Sequence, residues 1–263
     1  MSVTMAQMSE LLQQFSPQDF ACDWDNSGFH VRLDGEVTGV MICLDVTRDI
    51  IRFSADRRCN LILSHHPLLF RPQNHVDCAE YTGEMLNLLL KNQISLFCAH
   101  TTVDSAPWGI NAYWRDELKL RDAVLLEETK VGCAGLGYIG DLPQKTTVRA
   151  LCDFIKRRFS IDTLRVSGDL DKSICRVALC GGSASDLIPR AKALGGEVFI
   201  TGEIKHNFYV ENPDIVLIEA GHFDTEKCFV DLAARYLQNA VNRLQYNLNI
   251  CVPEQLTRYY CNY

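Results

Sequence analysis

With 263 residues, 47% of them hydrophobic and 22% charged, the chain carries enough apolar material for one large or two modest cores, and two globular domains are expected. No apolar run approaches the roughly 20 residues of a membrane span, and Met1 to Phe15 lacks the basic start of a secretory signal, so a soluble cytoplasmic protein is expected. A formal net charge of -7 disfavours a nucleic-acid surface, which needs clustered Lys and Arg; the short clusters Arg57-Arg58 and Lys156-Arg157-Arg158 read as solvated helix faces.

In chain order, hydrophobic periodicity predicts a helix over Met5 to Phe15, a strand over Val37 to Val46, a helix over Thr47 to Arg58 with Thr47 as N-cap, and a short buried strand over Leu61 to Ser64. A helix near Thr82 to Lys91, a strand over Ile94 to Ala99 and a helix near Ile110 to Leu118 follow. Around Arg121 to Lys130 the pattern becomes charged and aperiodic, which marks a boundary between units. Beyond it the spacing predicts strand Cys133 to Ile139, helix Val148 to Phe159, strands Leu164 to Gly168 and Ile174 to Cys180, helix Asp186 to Leu194, and strands Glu197 to Thr201 and Asp214 to Ile218. A helix near Thr225 to Ala240 and a strand near Tyr246 to Val252 return to the first unit. The expected fold is α/β: two lobes with mixed sheets flanked by helices, residues 1–126 with 228–263 in one and 127–227 in the other, and a metal site in the cleft between them.

The twelve cysteines include no CxxC pair. Cys43, Cys98 and Cys180 sit in apolar runs, where a reduced thiol acts as a small hydrophobe; neither a disulfide framework nor a thiolate zinc site is expected.

Four strand-like runs end alike, in residue types that bind metals: Leu61 to Ser64 followed by His65-His66-Pro67, Leu96 to Ala99 followed by His100-Thr101-Thr102-Val103-Asp104, Phe199 to Thr201 followed by Gly202-Glu203-Ile204-Lys205-His206, and Leu217 to Ala220 followed by Gly221-His222-Phe223-Asp224-Thr225-Glu226. Five of the seven histidines lie in these stretches. In open α/β sheets the carboxyl ends of strands line the ligand crevice, so residues distant in sequence can converge there. Pro67 keeps His66 extended. His222 and Glu226 are one helical turn apart and share a face. Asp104 is the preferred ligand of its stretch, because a carboxylate can bridge two cations. His100 reads as a ligand or as support to the ligands or a substrate contact, and Glu203 and His206 as support to the ligands or substrate contacts. Three imidazoles and two carboxylates exceed a closed tetrahedral site, and two ions sharing a bridging carboxylate leave room for a water nucleophile. Cys180-Gly181-Gly182-Ser183-Ala184-Ser185 reads either as a phosphate cradle or as a tight strand-to-helix turn. Asp25 and Asn26 read as an Asx turn with Gly28, or as site residues.

The same residues resemble the dinuclear-metal YbgI-like family, also called Nif-three-like and known as type 2 GTP cyclohydrolase I. Trp24-Asp25-Asn26-Ser27-Gly28 is similar to its N-terminal signature, Cys43-Leu44-Asp45-Val46-Thr47 to its first strand, and Ser64-His65-His66-Pro67 to its double-histidine motif; the His100, Gly202 and Gly221 stretches follow in the family's order. Ala184 departs from the pattern, holding a place where relatives often have glycine. The resemblance implies two divalent ions (iron, zinc or manganese) on His65, His66, Asp104, His222 and Glu226, and a toroidal homohexamer. It also implies the compact form, because the chain is too short for the inserted domain of larger relatives.

The function expected from this chemistry is metal-dependent hydrolysis of a nucleotide or phosphorylated small molecule, with metal-bound water as nucleophile. No guanine-reading motif is present. The alternative is a non-enzymatic metal-binding protein that serves interaction or regulation.

Overall fold

The computed structural model describes residues 1–261; residues 262 and 263, the end of the expected first lobe, lie outside the described residues. The chain runs β1 (Val3–Thr4), α1 (Met5–Phe15), β2 (Gly28–Val31), β3 (Glu36–Val37), β4 (Gly39–Cys43), α2 (Arg48–Asp56), β5 (Leu61–Ser64), α3 (Tyr81–Lys91), β6 (Ser95–Cys98) and α4 (Thr101–Asp104). It continues with α5 (Ile110–Glu117), β7 (Arg121–Lys130), β8 (Ala134–Thr147), α6 (Val148–Phe159), β9 (Arg165–Val166), β10 (Ser173–Cys180) and α7 (Ile188–Ala193). The last elements are β11 (Val198–Thr201), α8 (His206–Glu211), β12 (Val216–Glu219), α9 (His222–Glu226), α10 (Cys228–Leu244) and β13 (Asn249–Cys251). Two compact units result: Met1–Val103 with Phe229–Thr257, and Asp104–Cys228 with the residues from Arg258 onward.

The first unit is built on a five-stranded sheet of order β13-β4-β5-β6-β2. β13, β4, β5 and β6 are parallel, and β2 closes the edge antiparallel to β6. β4, β5 and β6 are buried along their whole length, which is why they read as continuous apolar runs instead of alternating ones. Met41, Ile62 and Leu96 from the sheet pack with Ile51 of α2 and with Met85 and Leu89 of α3. Each such side chain contributes about 1.5–3 kcal/mol on burial. Thr4 caps α1 with a reciprocal pair of bonds: its hydroxyl accepts from Gln7 N at 3.3 Å, and Gln7 Oε1 accepts from Thr4 N at 3.0 Å. Thr47 caps α2, as its position before the apolar period predicts.

The second unit holds a six-stranded mixed sheet of order β7-β8-β10-β11-β12-β9. β10, β11 and β12 are parallel, and the flanking pairs are antiparallel. Its core gathers Ile139, Ala178, Phe199 and Leu217 from the sheet with Ile188 and Ala191 of α7.

Several elements differ from their sequence reading. Arg121–Lys130 is a ten-residue strand pairing antiparallel with β8. It lies at the sheet edge with little burial on either face, so the alternation that signals a strand is missing. β8 runs on to Thr147, beyond the apolar Cys133 to Ile139. The helix expected from Thr225 to Ala240 is two helices, α9 and α10, with Lys227 between them. The run Val37 to Val46 is two short strands, after which the chain leaves the sheet toward Asp45. All twelve cysteines are free thiols, and burial pushes the Cys152 thiol up to about 11. Among the described residues no helix is long and apolar enough to cross a membrane.

Candidate metal centre

In the first unit the sheet register decides what meets what. Cys43 pairs with Ser64 and Ser64 with Cys98, so β4, β5 and β6 end side by side. Just past those ends stand Asp45, His65-His66 and His100. Backbone bonds carry the ladder two residues further, from His65 N to Cys43 O at 3.1 Å and from His66 N to Leu44 O at 2.9 Å. The three imidazoles therefore cluster: ring centroids are 5.0 Å apart for His65 and His66, 5.4 Å for His65 and His100, and 6.1 Å for His66 and His100. Phe229 lies 5.0 Å from the fully buried His65 ring.

Each of these rings is anchored through Nδ1. His65 Nδ1 bonds Ala99 O at 2.9 Å, His66 Nδ1 bonds Asp45 Oδ1 at 2.8 Å, and His100 Nδ1 bonds Asp25 Oδ1 at 2.7 Å. A carbonyl or carboxylate oxygen can only accept, so Nδ1 carries the hydrogen and, in the neutral ring, the Nε2 lone pair is available to a metal. This arrangement fixes the tautomer and raises ligand basicity. Asp25 holds His100 firmly: the acid is buried, which by itself raises its pKa, yet bonds from His100, Ser27 and Thr101 outweigh burial and hold the carboxyl far below the usual carboxylate range. Ser27 Oγ donates to it at 2.6 Å and Thr101 N at 3.2 Å. Asp25 Oδ1 also accepts from Asn26 N at 2.8 Å, one residue on and not the two of an Asx turn, so Asp25 serves the site instead of the expected turn. Oδ1 thus takes both Asn26 N and His100 Nδ1, while Oδ2 takes Ser27 and Thr101.

The second unit repeats the device with oxygen donors. β10, β11 and β12 end in register at Cys180, Thr201 and Glu219, and three glycine-bearing turns follow. Gly202 N and Glu203 N both donate to Gly182 O, at 2.8 and 3.1 Å, and Gly221 N donates to Gly202 O at 3.1 Å. His222 and Glu226 occupy one face of α9, with His222 Nε2 3.1 Å from Glu226 Oε1 and His222 Nδ1 3.0 Å from Glu203 Oε1. Glu226 is 3% exposed. Gly182, at φ 67°, is required here: a Cβ would stand 2.5 Å from Glu226 Oε1 and 3.7 Å from His222 Nε2. A Cβ at Gly202 would stand 2.8 Å from His222 Cα. The backbone is thus hollowed around the carboxylate.

The turn from Cys180 to Ser185 has its amides committed internally. Gly181 N donates to Asn111 Oδ1 at 2.8 Å, Gly182 N to Thr225 Oγ1 at 3.1 Å, and Ala184 N to Thr201 Oγ1 at 3.3 Å. It is a tight strand-to-helix turn and presents no row of free amides to a phosphate. The buried Asn111 also donates to Asp104 O at 3.0 Å, which fixes the backbone of that candidate ligand. Asp224, 5% exposed, accepts from Arg258 at 2.5 and 2.6 Å and from Lys227 at 2.8 Å, tying α9 to the C-terminal segment.

Among the described residues, the His and carboxylate groups suited to hold an ion draw on His65, His66, His100, Asp104 and Glu226. His100, left by the sequence as a ligand or a supporting donor, is among these candidates. His222 stands beside Glu226, and Glu203 backs it. His206 is the exposed first residue of α8 and belongs to no such group. Sequence reading missed Asp45, Asn111 and Arg258 altogether. Asp45 had a signal, an acid just past the end of a buried strand; the other two had none. Imidazoles with Nδ1 committed in the first unit, and in the second a buried carboxylate in a cradle too tight for a Cβ, are the donor types of a first-row divalent metal site.

Comparison with known proteins agrees with the motif resemblance. The family model described as Duf34/NIF3 (NGG1p interacting factor 3) matches residues 3–257. A protein of Clostridium acetobutylicum named GTP cyclohydrolase 1 type 2 homolog is 31% identical over 259 residues, covering 97% of each chain. The fold matches the crystal structure of a Bacillus cereus protein related to NIF3 with a TM-score of 0.90 at 19% identity, covering 99% of each chain. It also matches the structure of protein ybgI with a TM-score of 0.81 at 20% identity, covering 97% of this chain and 99% of the other. With a family model that matches residues 3–257, nearly the whole length, the chain belongs to the Duf34/NIF3 family.

Proposed function

We propose that the chain binds two divalent cations through His65, His66, Asp104, His222 and Glu226 and uses them to hydrolyse a nucleotide or a related phosphorylated small molecule. The observation that carries this reading is the commitment of Nδ1 on three clustered imidazoles to fixed oxygen acceptors. The candidate ligand groups are His65 with His100 and Asp104, and His65 with His66 and Glu226. A neutral imidazole anchored through Nδ1 offers a single lone pair, so His65 can serve one ion only, and bridging falls to a carboxylate. Asp104 would be among the ligands, since a carboxylate is able to serve two cations, and His100 would support or join them.

Bound divalent ions supply Lewis acidity, polarising a phosphoryl oxygen and lowering the pKa of a water ligand. The chain's own residues do the rest. Asp25 and Asp45 hold the imidazoles in one tautomer. Phe229 walls off one side of His65, and Gly182 leaves the space in which the Glu226 carboxylate stays oriented. His and carboxylate ligands together suit iron, zinc or manganese. The reading includes a toroidal homohexamer, as the family resemblance implies, and a cytoplasmic location, as the sequence pattern of the N-terminal helix suggests.

The test is elemental analysis of anaerobically purified protein, followed by a screen of nucleotides and phosphoesters with the native metal retained. About two ions per chain, and a turnover abolished by His65→Ala and Glu226→Ala, are expected. Two ions with no turnover across the screen would instead support a metal-binding interaction or regulatory protein.

A further inference from the structure

Beside the histidine cluster of the first unit, two large aromatic rings stay in water. Trp24 is 60% exposed and Phe70 48% exposed. Their centroids lie 6.0 Å apart with the planes inclined at 58°. Both also meet the His100 ring edge-on, Trp24 at 6.0 Å and Phe70 at 6.2 Å.

What holds them there is polar. Asn26 Nδ2 donates to Leu69 O at 2.6 Å, Leu69 N donates to His30 Nδ1 at 3.1 Å, and His30 Nε2 bonds Asn26 O at 2.8 Å. Because His30 Nδ1 receives an amide hydrogen, Nε2 must carry the ring's own, and the circuit closes in a single tautomer. It joins the residues next to Trp24 to the residue next to Phe70. Asp25, adjacent to Trp24, is bonded to His100 at 2.7 Å. The circuit fixes the backbone near each ring, and the rings rest on one another and on His100, so a guest that covers them meets a surface largely in place.

The geometry points to a stacking platform: Trp24 and Phe70 take the planar heteroaromatic ring of a nucleobase and so place the remainder of that nucleotide beside His100. Every nucleobase offers a π-face to an aromatic side chain, whatever its edge pattern, and that suits a chain with no base-reading motif. The inference rests on the reading of the histidine cluster as the reacting centre and narrows its substrate class to nucleotides.

The full-length protein, purified with its metal, is titrated by calorimetry with guanosine 5′-monophosphate, adenosine 5′-monophosphate and ring-free ribose 5-phosphate. At least one nucleotide is expected to bind about tenfold or more tightly than ribose 5-phosphate. Trp24→Ala and Phe70→Ala should each remove most of that preference, and Trp24→Phe should restore much of it. Metal content, affinity for ribose 5-phosphate and oligomeric mass should not move. The platform is overturned if no nucleotide outbinds ribose 5-phosphate, or if both alanine variants keep the preference. It is equally overturned if those variants change the oligomeric mass and leave the preference intact, which would assign the rings to contact with a second copy. A ring preference without any turnover would sink the hydrolase reading alone, whereas turnover without ring preference would sink the platform alone.

Discussion

The two units use one architectural device with opposite chemistry. Each has a run of three parallel strands ending in register, and each places its candidate ligands just past those ends. The first unit offers nitrogen donors, with His65 fully buried and every ring of the cluster anchored through Nδ1. The second offers a buried carboxylate whose surroundings are kept clear by glycine. The contrast shows that an imidazole is set by what it bonds behind it, while the Glu226 carboxylate is set by His222 beside it and by the space glycine leaves around it.

Removing a ligand breaks the comparison most severely. His65→Ala and Glu226→Ala are each expected to lower the metal content by about one ion per chain and to abolish turnover, read by elemental analysis and activity on the same preparation. Removing a backing acid is gentler. Asp45→Asn and Asp25→Asn retain the side-chain shape but lose the charge that raises imidazole basicity, and metal affinity should fall by about 10–100-fold in a competition titration with a chelator.

In the second unit the sensitive position is a glycine instead of an acid. Gly182→Ala should destabilise the fold by about 1–3 kcal/mol, because the residue has positive φ and its Cβ would collide with Glu226 Oε1. Thermal unfolding measures that cost, and a parallel loss of metal would show that the carboxylate has moved. An equivalent small-to-large change on the histidine side, Ala99→Ser, keeps the backbone carbonyl that His65 uses and should leave metal content unchanged.

The smallest expected effect is a pH dependence in the circuit behind Trp24 and Phe70. Burial lowers the His30 pKa below its ordinary value, against weaker opposition from Asn26 O and Asp25. The unfolded chain therefore takes up this proton first as pH falls. The circuit's contribution is complete above about pH 6.5 and is lost as pH drops from there toward the lowered folded value. The loss should be seen as a fall in unfolding free energy over that window that is absent from His30→Gln.

Much of this arrangement was legible before any coordinates. Buried parallel strands announce themselves as short apolar runs, so the ends of β5 and β6 and the donors past them, His65, His66 and His100, could be read directly. The i,i+4 pair His222 and Glu226 fell on one helical face, as the spacing required. The backing residues were harder to read. Asp25 reaches His100 across 75 positions in sequence, and Asn111 reaches Gly181 across 70; pairings of that range follow from sheet order, which periodicity does not encode. Edge strand β7 escaped because neither of its faces is consistently buried, and Arg258 because its partner, Asp224, is fixed only once α9 exists. In the Gly202 stretch Glu203 turns to His222 while His206 is exposed at the start of α8, a difference that spacing alone does not encode.

The central claim is that the anchored imidazoles and the cradled carboxylates together hold a pair of ions. Metal-stripped protein titrated anaerobically with iron(II), zinc or manganese(II), with bound metal counted after removal of excess, tests it most directly. The account predicts saturation near two equivalents per chain, reduced in His65→Ala and weakened but not reduced in Asp45→Asn. Saturation below one equivalent with all three metals, or wild-type stoichiometry in His65→Ala, would contradict it.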